Sequence, residues 1–263
     1  MTRRIVLIVL FLLIFLAGLV MTLPASHAWN WAGGSVPGEA YGLRGTLWEG
    51  QAATVIVDGH RLDGLRWELQ ASSLLRGELD YMISGTLADG RVRGRVRAGL
   101  DGRLRVEDLR VSASADQLVR MASERPLPLQ VGGQVDAYFQ EVILTRDGTL
   151  ERIQGLINWV GGNVVFGETY DLGDYAVRLD SRGQNLDLEL VTVDALLRVD
   201  GTASLNPISG QVTGEVIFQT LEGASADLVQ GIRFTGLPEP EAENHIRFSG
   251  NINNPMGFRG EIQ

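Results

Sequence analysis

The sequence lacks cysteine and lysine altogether and has only three histidines in 263 residues. Without cysteine, no disulfide or thiolate metal site can hold the fold together, so stability must come from apolar burial and strand pairing. His27, His60 and His245 lie far apart, and none has an acidic residue at metal-ligand spacing. We therefore expect solvent-facing or turn histidines, no metal site and no cofactor.

Catalytic and nucleotide-binding motifs are missing as well. The chain has no Gly-x-Ser-x-Gly elbow, phosphate loop or histidine-based metal motif. Glu168, Asp171 and Asp174 surround a glycine and offer the oxygen ligands that calcium prefers, but they lack EF-hand spacing. We interpret them as a solvated loop. The sequence predicts no catalytic residue and no enzyme.

Excess positive charge is also absent, because the net charge is −9. The charge is uneven along the chain. Residues 1–130 carry 15 arginines against 13 acids, whereas residues 131–263 carry 8 against 19. Nonspecific nucleic-acid binding needs a cationic surface that displaces counterions. We therefore predict no nucleic-acid partner.

One long apolar run is present near the N-terminus. It begins at Ile5, ends at Leu23 and contains no charged residue. A helix of about 19 residues is about 28 Å long, close to the roughly 30 Å hydrocarbon core of a bilayer. Arg3 and Arg4 precede it, and positive charge stays on the cytoplasmic side. These features predict a single-pass anchor at 5–23, a cytoplasmic tip at 1–4 and an exported C-terminal domain.

A cleavable signal peptide is the alternative interpretation of this run. Ser26, His27 and Ala28 form a small-x-small cleavage site. The apolar region of a signal peptide usually has about 7 to 15 residues, which is shorter than this run. Trp29 and Trp31 follow it, where indole rings favour the headgroup layer, although they also fit an early core. We favour the retained anchor, followed by a linker at 24–40.

The rest of the chain has the pattern of antiparallel strands. Its 33 glycines favour tight turns over long helices. From Tyr41 onward, apolar residues recur at a period near two, in runs separated by turn dipeptides. Asp-Gly supplies the positive φ angles of tight hairpin turns and predicts a meander. These dipeptides begin at Asp58, Asp89, Asp101 and Asp147.

Each predicted strand has one apolar face. In residues 103–113 the alternation changes phase near Glu107 and Asp108, which predicts a bulge. Two short helices are expected near 114–121 and 225–230, too few to cover the apolar faces. The sheet must either close on its own side chains, which we favour, or stay open as a groove. The candidate groove residues are Val92, Val96, Leu188, Leu190, Leu197, Val199, Val216 and Phe218.

Each of the two helices begins with a serine that is expected to cap it. Their similar starts, Ser114-Ala115-Asp116 and Ser225-Ala226-Asp227, suggest a degenerate repeat. The predicted fold is all-β: a curled antiparallel sheet, as an open groove or half-barrel in two units, preceded by one transmembrane helix. Pro238 to Glu241 should be a stiff acidic linker. The predicted domain spans 41–252, with units at 41–127 and 128–236, a final strand at 245–252 and a frayed tail at 253–263.

A compact motif near the start of this domain carries a family resemblance. It begins with the run GTLWEGQA and continues through a strand and a turn into L-x-x-L-x-W. We expect Thr46 and Trp48 to share one face of a strand, with Leu47 on the other. The motif closely resembles protein N of the bacterial type II secretion system. Its two tryptophans also fit simple core packing. The motif residues are Gly45, Thr46, Leu47, Trp48, Gly50, Gly59, Leu65 and Trp67.

The resemblance implies an inner-membrane protein with a periplasmic domain, acting as an accessory part of the apparatus that exports folded proteins. It implies other secretion components as partners, and no enzyme. The family is also similar to AsmA-like lipid-transfer proteins, which adds lipid as a second candidate partner. A scaffold would use strand edges and charged faces. A lipid conduit would need a continuous apolar surface. The sequence does not separate the two.

Overall fold

The computed structural model describes residues 22–32, 38–57, 59–122, 130–166, 168–182, 184–234, 239–252 and 254–262. The predicted anchor therefore lies outside the described residues, apart from its last two positions. Within the described ranges, no helix is both long and apolar enough to cross a membrane.

Strands dominate the described part of the chain, as the period-two pattern predicted. The N-terminal strands are β1 (Glu39–Tyr41), β2 (Arg44–Gly45), β3 (Glu49–Val57), β4 (His60–Leu69), β5 (Leu79–Leu87), β6 (Gly90–Ala98) and β7 (Leu104–Ser114). The others are β8 (Gln130–Leu144), β9 (Leu150–Phe166), β10 (Glu168–Arg182), β11 (Asn185–Ala195), β12 (Leu197–Leu205), β13 (Gln211–Thr220), β14 (Asn244–Asn251) and β15 (Asn254–Ile262). The helices are α1 (Ala25–Ala32), a 3₁₀ helix (Ala71–Arg76), α2 (Ala115–Ala122) and α3 (Ala226–Phe234).

All of these strands belong to one antiparallel sheet. From β3 onward each strand pairs with the next one in sequence, while β1 and β2 both pair with β3. Over the described ranges, no pairing joins the first strands to β15, so the sheet is open. The prediction of a closed core was therefore wrong. The sheet also continues without a break across the predicted unit boundary at 127/128, because β7 pairs with β8.

The phase change in β7 was read correctly as a bulge. Asp108 has φ +51°. Arg93 pairs with Arg110 and Arg95 pairs with Glu107, so β7 holds one more residue than β6 over this stretch. An extra residue of this kind bends a strand and increases its twist. The bulge thus introduces a local change of direction at the middle of the N-terminal strands.

The Asp-Gly turns were predicted correctly at three positions and wrongly at one. Gly59, Gly102 and Gly148 have positive φ angles, as such turns require. Between β5 and β6, however, it is Ala88 that takes the positive φ, at +56°, and Gly90 lies inside β6. A Cβ at Gly90 would overlap the carbonyl oxygen of Ser112 on the next strand. The glycine is needed there for close approach of two strands.

Both predicted helices form, and the N-terminus of α3 is capped as expected. The Ser225 hydroxyl oxygen accepts a hydrogen bond from the Leu228 amide at 3.2 Å. Helix α1 and the 3₁₀ helix were not predicted, and α1 lies within the predicted linker at 24–40. The prediction of a frayed tail was wrong, because β15 pairs with β14. Its sequence alternates Met256, Phe258 and Ile262, which suits a strand.

The segment predicted as an acidic linker is also held in place. The carbonyl oxygen of Pro240 accepts hydrogen bonds from the Thr220 amide at 2.7 Å and the Thr220 hydroxyl at 3.0 Å. The Asn244 side chain donates to the carbonyl oxygens of Glu239 and Ala242 at 2.9 and 2.8 Å. Pro240 is fully buried. This segment therefore fixes the start of β14 against β13.

Candidate functional site

Cross-strand pairing places the apolar side chains of the sheet on one face, called here the apolar face. Val216 of β13 lies opposite Gly201 of β12, which lies opposite Leu190 of β11. The same row continues to Val92 of β6 through directly paired residues. The complete apolar row is Val92, Val111, Ala137, Ile157, Val177, Leu190, Gly201, Val216 and Ile246.

The apolar row crosses nine strands, which corresponds to about 38 Å at the usual strand spacing. None of its side chains is polar. Val96 lies on the same face of β6, four residues after Val92, and is paired with Tyr81 and Val106. Six of the predicted groove residues thus lie together on β11 to β13. Val92 and Val96 lie several strands away on the same face.

Helix α3 covers only one part of this face. Leu197, Leu228 and Ile232 form a buried cluster there. Among the eight predicted groove residues, Leu197 is the one that is buried, at 6% exposure, and the other seven remain partly exposed. The structure therefore brings the predicted residues onto one accessible face. Within the described ranges, no helix layer covers this face over its whole width.

An apolar trough of about 190 Å³ lies beside the α3 cluster. Two aromatic residues that the sequence reasoning missed are part of it: Trp159 and Tyr175 stack with ring centroids 5.8 Å apart. Both continue the alternation of their strands, which is the signal that marks them. The trough is lined by Ile157, Trp159, Leu172, Tyr175, Val177, Leu190, Leu197 and Val199.

Tyr175 brings a hydroxyl group to this lining, and that hydroxyl is already hydrogen-bonded. Its hydroxyl donates to the carbonyl oxygen of Leu197 at 2.7 Å and lies 3.2 Å from that of Leu172. Burial, with a smaller contribution from Asp200, raises the pKa of Tyr175 to about 12. Tyr175 therefore stays protonated at neutral pH and serves as a structural hydrogen-bond donor.

The family motif forms a second candidate site at the other end of the sheet. Thr46, Leu47 and Trp48 form the turn between β2 and β3, so the prediction that they share a strand was wrong. The Thr46 hydroxyl oxygen accepts hydrogen bonds from the amides of Trp48 and Glu49 at 3.3 and 3.2 Å. Side-chain bonds of this kind stabilise turns that the backbone alone would not hold.

Trp67 holds this turn from the neighbouring strand. Its indole nitrogen donates to the carbonyl oxygen of Thr46 at 3.2 Å. Its ring lies over Gly50, where a Cβ would come within 2.5 Å of the ring carbon Cζ2. Gly45 has φ +87°, and a Cβ there would meet the Gly50 Cα at 2.8 Å. Only glycine fits at 45 and 50 without displacing these neighbours.

The motif also contacts the chain that follows the N-terminal apolar run. The Leu47 amide donates to the carbonyl oxygen of Leu23 at 2.9 Å, and Pro24 forms a bridge with Thr46. Helix α1 begins directly afterwards; its Trp31 is 78% exposed and Trp29 is partly exposed. The motif thus joins the sheet to the end of the apolar run. An interfacial role for the two tryptophans stays a prediction.

The remaining motif positions have plain structural roles. Leu65 pairs with Ala52 across β3 and β4. Gly59 lies in the turn between these strands, with φ +80°.

Glu168, Asp171 and Asp174 lie in strand β10, so their interpretation as a solvated loop was wrong. Asp174 is engaged in the sheet, where its Oδ1 accepts a hydrogen bond from the Gly161 amide at 2.7 Å. Glu168 and Asp171 pair with Phe166 and Asn163 of β9. In the part of the chain that the structure describes, no three acidic or histidine side chains are grouped to hold a metal ion.

Comparison with known proteins identifies the family. Residues 39–248 match the family described as "Type II secretion system (T2SS), protein N". The chain belongs to this family. A protein of Aeromonas hydrophila named Type II secretion system protein N is 26% identical over 261 residues, covering 96% of this chain and all of the relative. A Vibrio cholerae protein of the same name is 38% identical over 101 residues, 37% of this chain and 39% of the relative. No solved structure matches.

Proposed function

We propose that this chain is an accessory secretion component anchored in the inner membrane by residues 5–23. Its sheet lies in the periplasm and serves as a scaffold for other secretion components. Family membership supports the secretion role. The open sheet is the observation that supports a scaffold, because an open sheet offers strand edges and a polar face to partners. The proposal assigns no catalytic step to this chain.

The first strands form the edge that we expect a partner to use. Tyr41 of β1 is 54% exposed, and β1 pairs on one side only, with β3, in the described ranges. An extended segment of another component can add to such an edge through main-chain hydrogen bonds. Photo-crosslinking from position 41 in secreting cells tests this. Position 208, a 68% exposed loop residue, is the matched control.

Crosslinks to a secretion component from position 41 and not from position 208 are the expected result. Equal or absent crosslinking at both positions contradicts the edge scaffold. The anchor is tested separately by N-terminal sequencing of the membrane-extracted protein. A retained Met1 or Thr2 supports the anchor, whereas a chain that starts at Trp29 shows a cleaved signal peptide.

A lipid-accommodating groove is the second candidate function, favoured by the partly exposed apolar row. The trough beside α3 is too small for a whole lipid, because small-molecule pockets usually measure about 300 to 1,000 Å³. An acyl chain would therefore have to lie along the row. Lipid extracted from the purified protein is the direct test. Val216→Asp should abolish that lipid, while Thr213→Asp, on the polar face of the same strand, should not.

A further inference from the structure

The face opposite the apolar face carries a row of arginines across the N-terminal strands. Arg44 of β2 pairs with Gln51, and Gln51 pairs with Arg66 of β4. The row then continues through Ser84 to Arg93 of β6 and Arg110 of β7. We call Arg44, Arg66, Arg93 and Arg110 the arginine row. Gln51 and Ser84 separate the first three arginines, whereas Arg93 and Arg110 are adjacent. The row contains no acid, and its four arginines are exposed.

The neighbouring arginines on β6 are neutralised, but the arginine row is not. Arg95 and Arg97 pair with Asp80 and Glu107. The ion pairs of the described residues include none of the four members of the row. Arg93 lies directly opposite Arg110. Like charges in directly opposed positions destabilise a sheet unless a counter-ion lies between them.

Two adjoining concavities follow this row. One of about 900 Å³ is lined by Arg44, Arg66 and Arg93, together with the acids Glu49 and Glu68. The other, of about 370 Å³, is lined by Arg93, Arg95 and Arg110, with Asp108 as its one acid. Asp108 accepts a hydrogen bond from the Tyr138 hydroxyl at 2.9 Å, and the Arg110 guanidinium stacks 5.4 Å from the Tyr138 ring. The balance of charge in both concavities is positive.

The position of the arginine row indicates which molecules it contacts. Arg44 lies two residues before Thr46, which bridges to Pro24, and the chain before Pro24 is the apolar run that ends at Leu23. If residues 5–23 span the membrane, this end of the row lies beside the lipid headgroups. Guanidinium groups bind phosphate oxygens in a bidentate manner, which lysine cannot reproduce.

We infer that the arginine row binds the phosphate groups of anionic phospholipids in the membrane that anchors the protein. This inference rests on the proposed anchor. Arg93 and Arg110 lie about 19 and 24 Å from Arg44 at the usual strand spacing, so the polar face of the first half of the sheet lies along the bilayer when headgroups neutralise this pair. The lipid contact is made by the polar face, so it is independent of any acyl chain on the apolar face.

The test uses the full chain, purified in an uncharged detergent and titrated with phosphatidylglycerol or phosphatidylcholine, with bound lipids counted by native mass spectrometry. Phosphatidylglycerol should bind in excess of phosphatidylcholine, and 0.5 M salt should weaken it by screening. The double variant R93Q/R110Q should bind phosphatidylglycerol about twentyfold more weakly, since each surface cation near a membrane contributes roughly fivefold.

Two control variants isolate the row. R178Q/R247Q removes two arginines from the polar face of β10 and β14, and should leave the affinity unchanged. R3Q/R4Q removes the cations before the apolar run and reveals any lipid that they bind. Circular dichroism should show R93Q/R110Q folded, because the change relieves a like-charge contact.

Equal retention of the two lipids, or unchanged retention in R93Q/R110Q, overturns the inference. A secretion defect of R93Q/R110Q with unchanged lipid retention also overturns it and assigns the row to an acidic protein segment. N-terminal sequencing of the same sample reports on the anchor independently. A failed anchor is thereby distinguished from a failed lipid site.

Discussion

Trp67 and Gly50 form a contact whose energy can be separated experimentally. The Trp67 ring covers Gly50, and its indole nitrogen donates to the Thr46 carbonyl oxygen at 3.2 Å. Trp67→Phe keeps an aromatic ring beside the glycine but removes the hydrogen bond and part of the indole surface. Trp67→Ala removes the ring and the hydrogen bond. Gly50→Ala instead adds a methyl group into a space that the ring and the Arg44 carbonyl oxygen already occupy, 2.5 and 2.7 Å away.

The expected free energies follow from these contacts. Loss of the hydrogen bond should lower the free energy of unfolding by about 1 kcal/mol. Trp67→Ala should cost about 3 kcal/mol, the lower end for large aromatic truncations, because the side chain is only partly buried. Gly50→Ala should cost roughly 1 to 3 kcal/mol through overpacking. With the ring removed, that cost should fall by about 1 kcal/mol, while the overlap with the Arg44 oxygen remains.

Urea unfolding of the purified chain, followed by circular dichroism in the β region, measures the stability of the three single variants and of the double variant Gly50→Ala/Trp67→Ala. The reasoning is refuted if Trp67→Phe is as stable as the parent protein. It is also refuted if Gly50→Ala lowers the free energy of unfolding by the same amount with and without the Trp67 ring. Limited proteolysis adds a structural readout: Trp67→Ala should make the chain around Leu23 and Pro24 more accessible, because Thr46 and Leu47 hold it.

Two further predictions concern charged groups. Asp80→Asn should lower the free energy of unfolding by about 2 to 3 kcal/mol, less than for a fully buried pair because Arg95 and Arg97 are 34% and 27% exposed. Glu189→Gln, whose partner Arg178 is 69% exposed, should change that free energy by under about 0.5 kcal/mol. Equal effects of the two substitutions would contradict this prediction. Hydrogen bonds to Glu215, then Glu243, raise the pKa of His245. The stability that His245 contributes to the fold is therefore complete below about pH 6.5 and is lost as the pH rises through the folded-state pKa. An NMR titration of the imidazole should show a lower His245 pKa in Glu215→Gln. An unchanged pKa would contradict the role of Glu215.

Local patterns predicted the local structure well. The phase change at Glu107 and Asp108 placed a bulge correctly, because one inserted residue shifts the alternation visibly. The apolar alternation of β11 to β13 likewise placed six groove residues on one face. Both features depend only on neighbours along a strand, where side chains alternate strictly.

Contacts between distant residues were not predictable in this way. Thr46 looked like a strand residue, yet its turn is held by Trp67, 21 residues away, and by the chain at Leu23 and Pro24. Pro240 was predicted to lie in a stiff linker, but its carbonyl oxygen accepts a hydrogen bond from Thr220 of β13. Trp159 and Tyr175 were overlooked because only the register of β9 and β10 brings their rings together.

The choice between an open and a closed sheet depends on a balance that the sequence does not display. A fully exposed valine or leucine would forgo roughly 1.5 to 3 kcal/mol of burial, which argued for closure. In the structure, seven of the eight groove residues are partly and not fully exposed, so each forgoes roughly a fifth of that amount. The total is about 2 to 4 kcal/mol, smaller than the 5 to 15 kcal/mol that stabilises a typical domain. An open sheet can therefore be stable without a ligand. A molecule that covered the apolar row would still add stability. The fold is therefore compatible both with the sheet alone and with an apolar ligand bound to it.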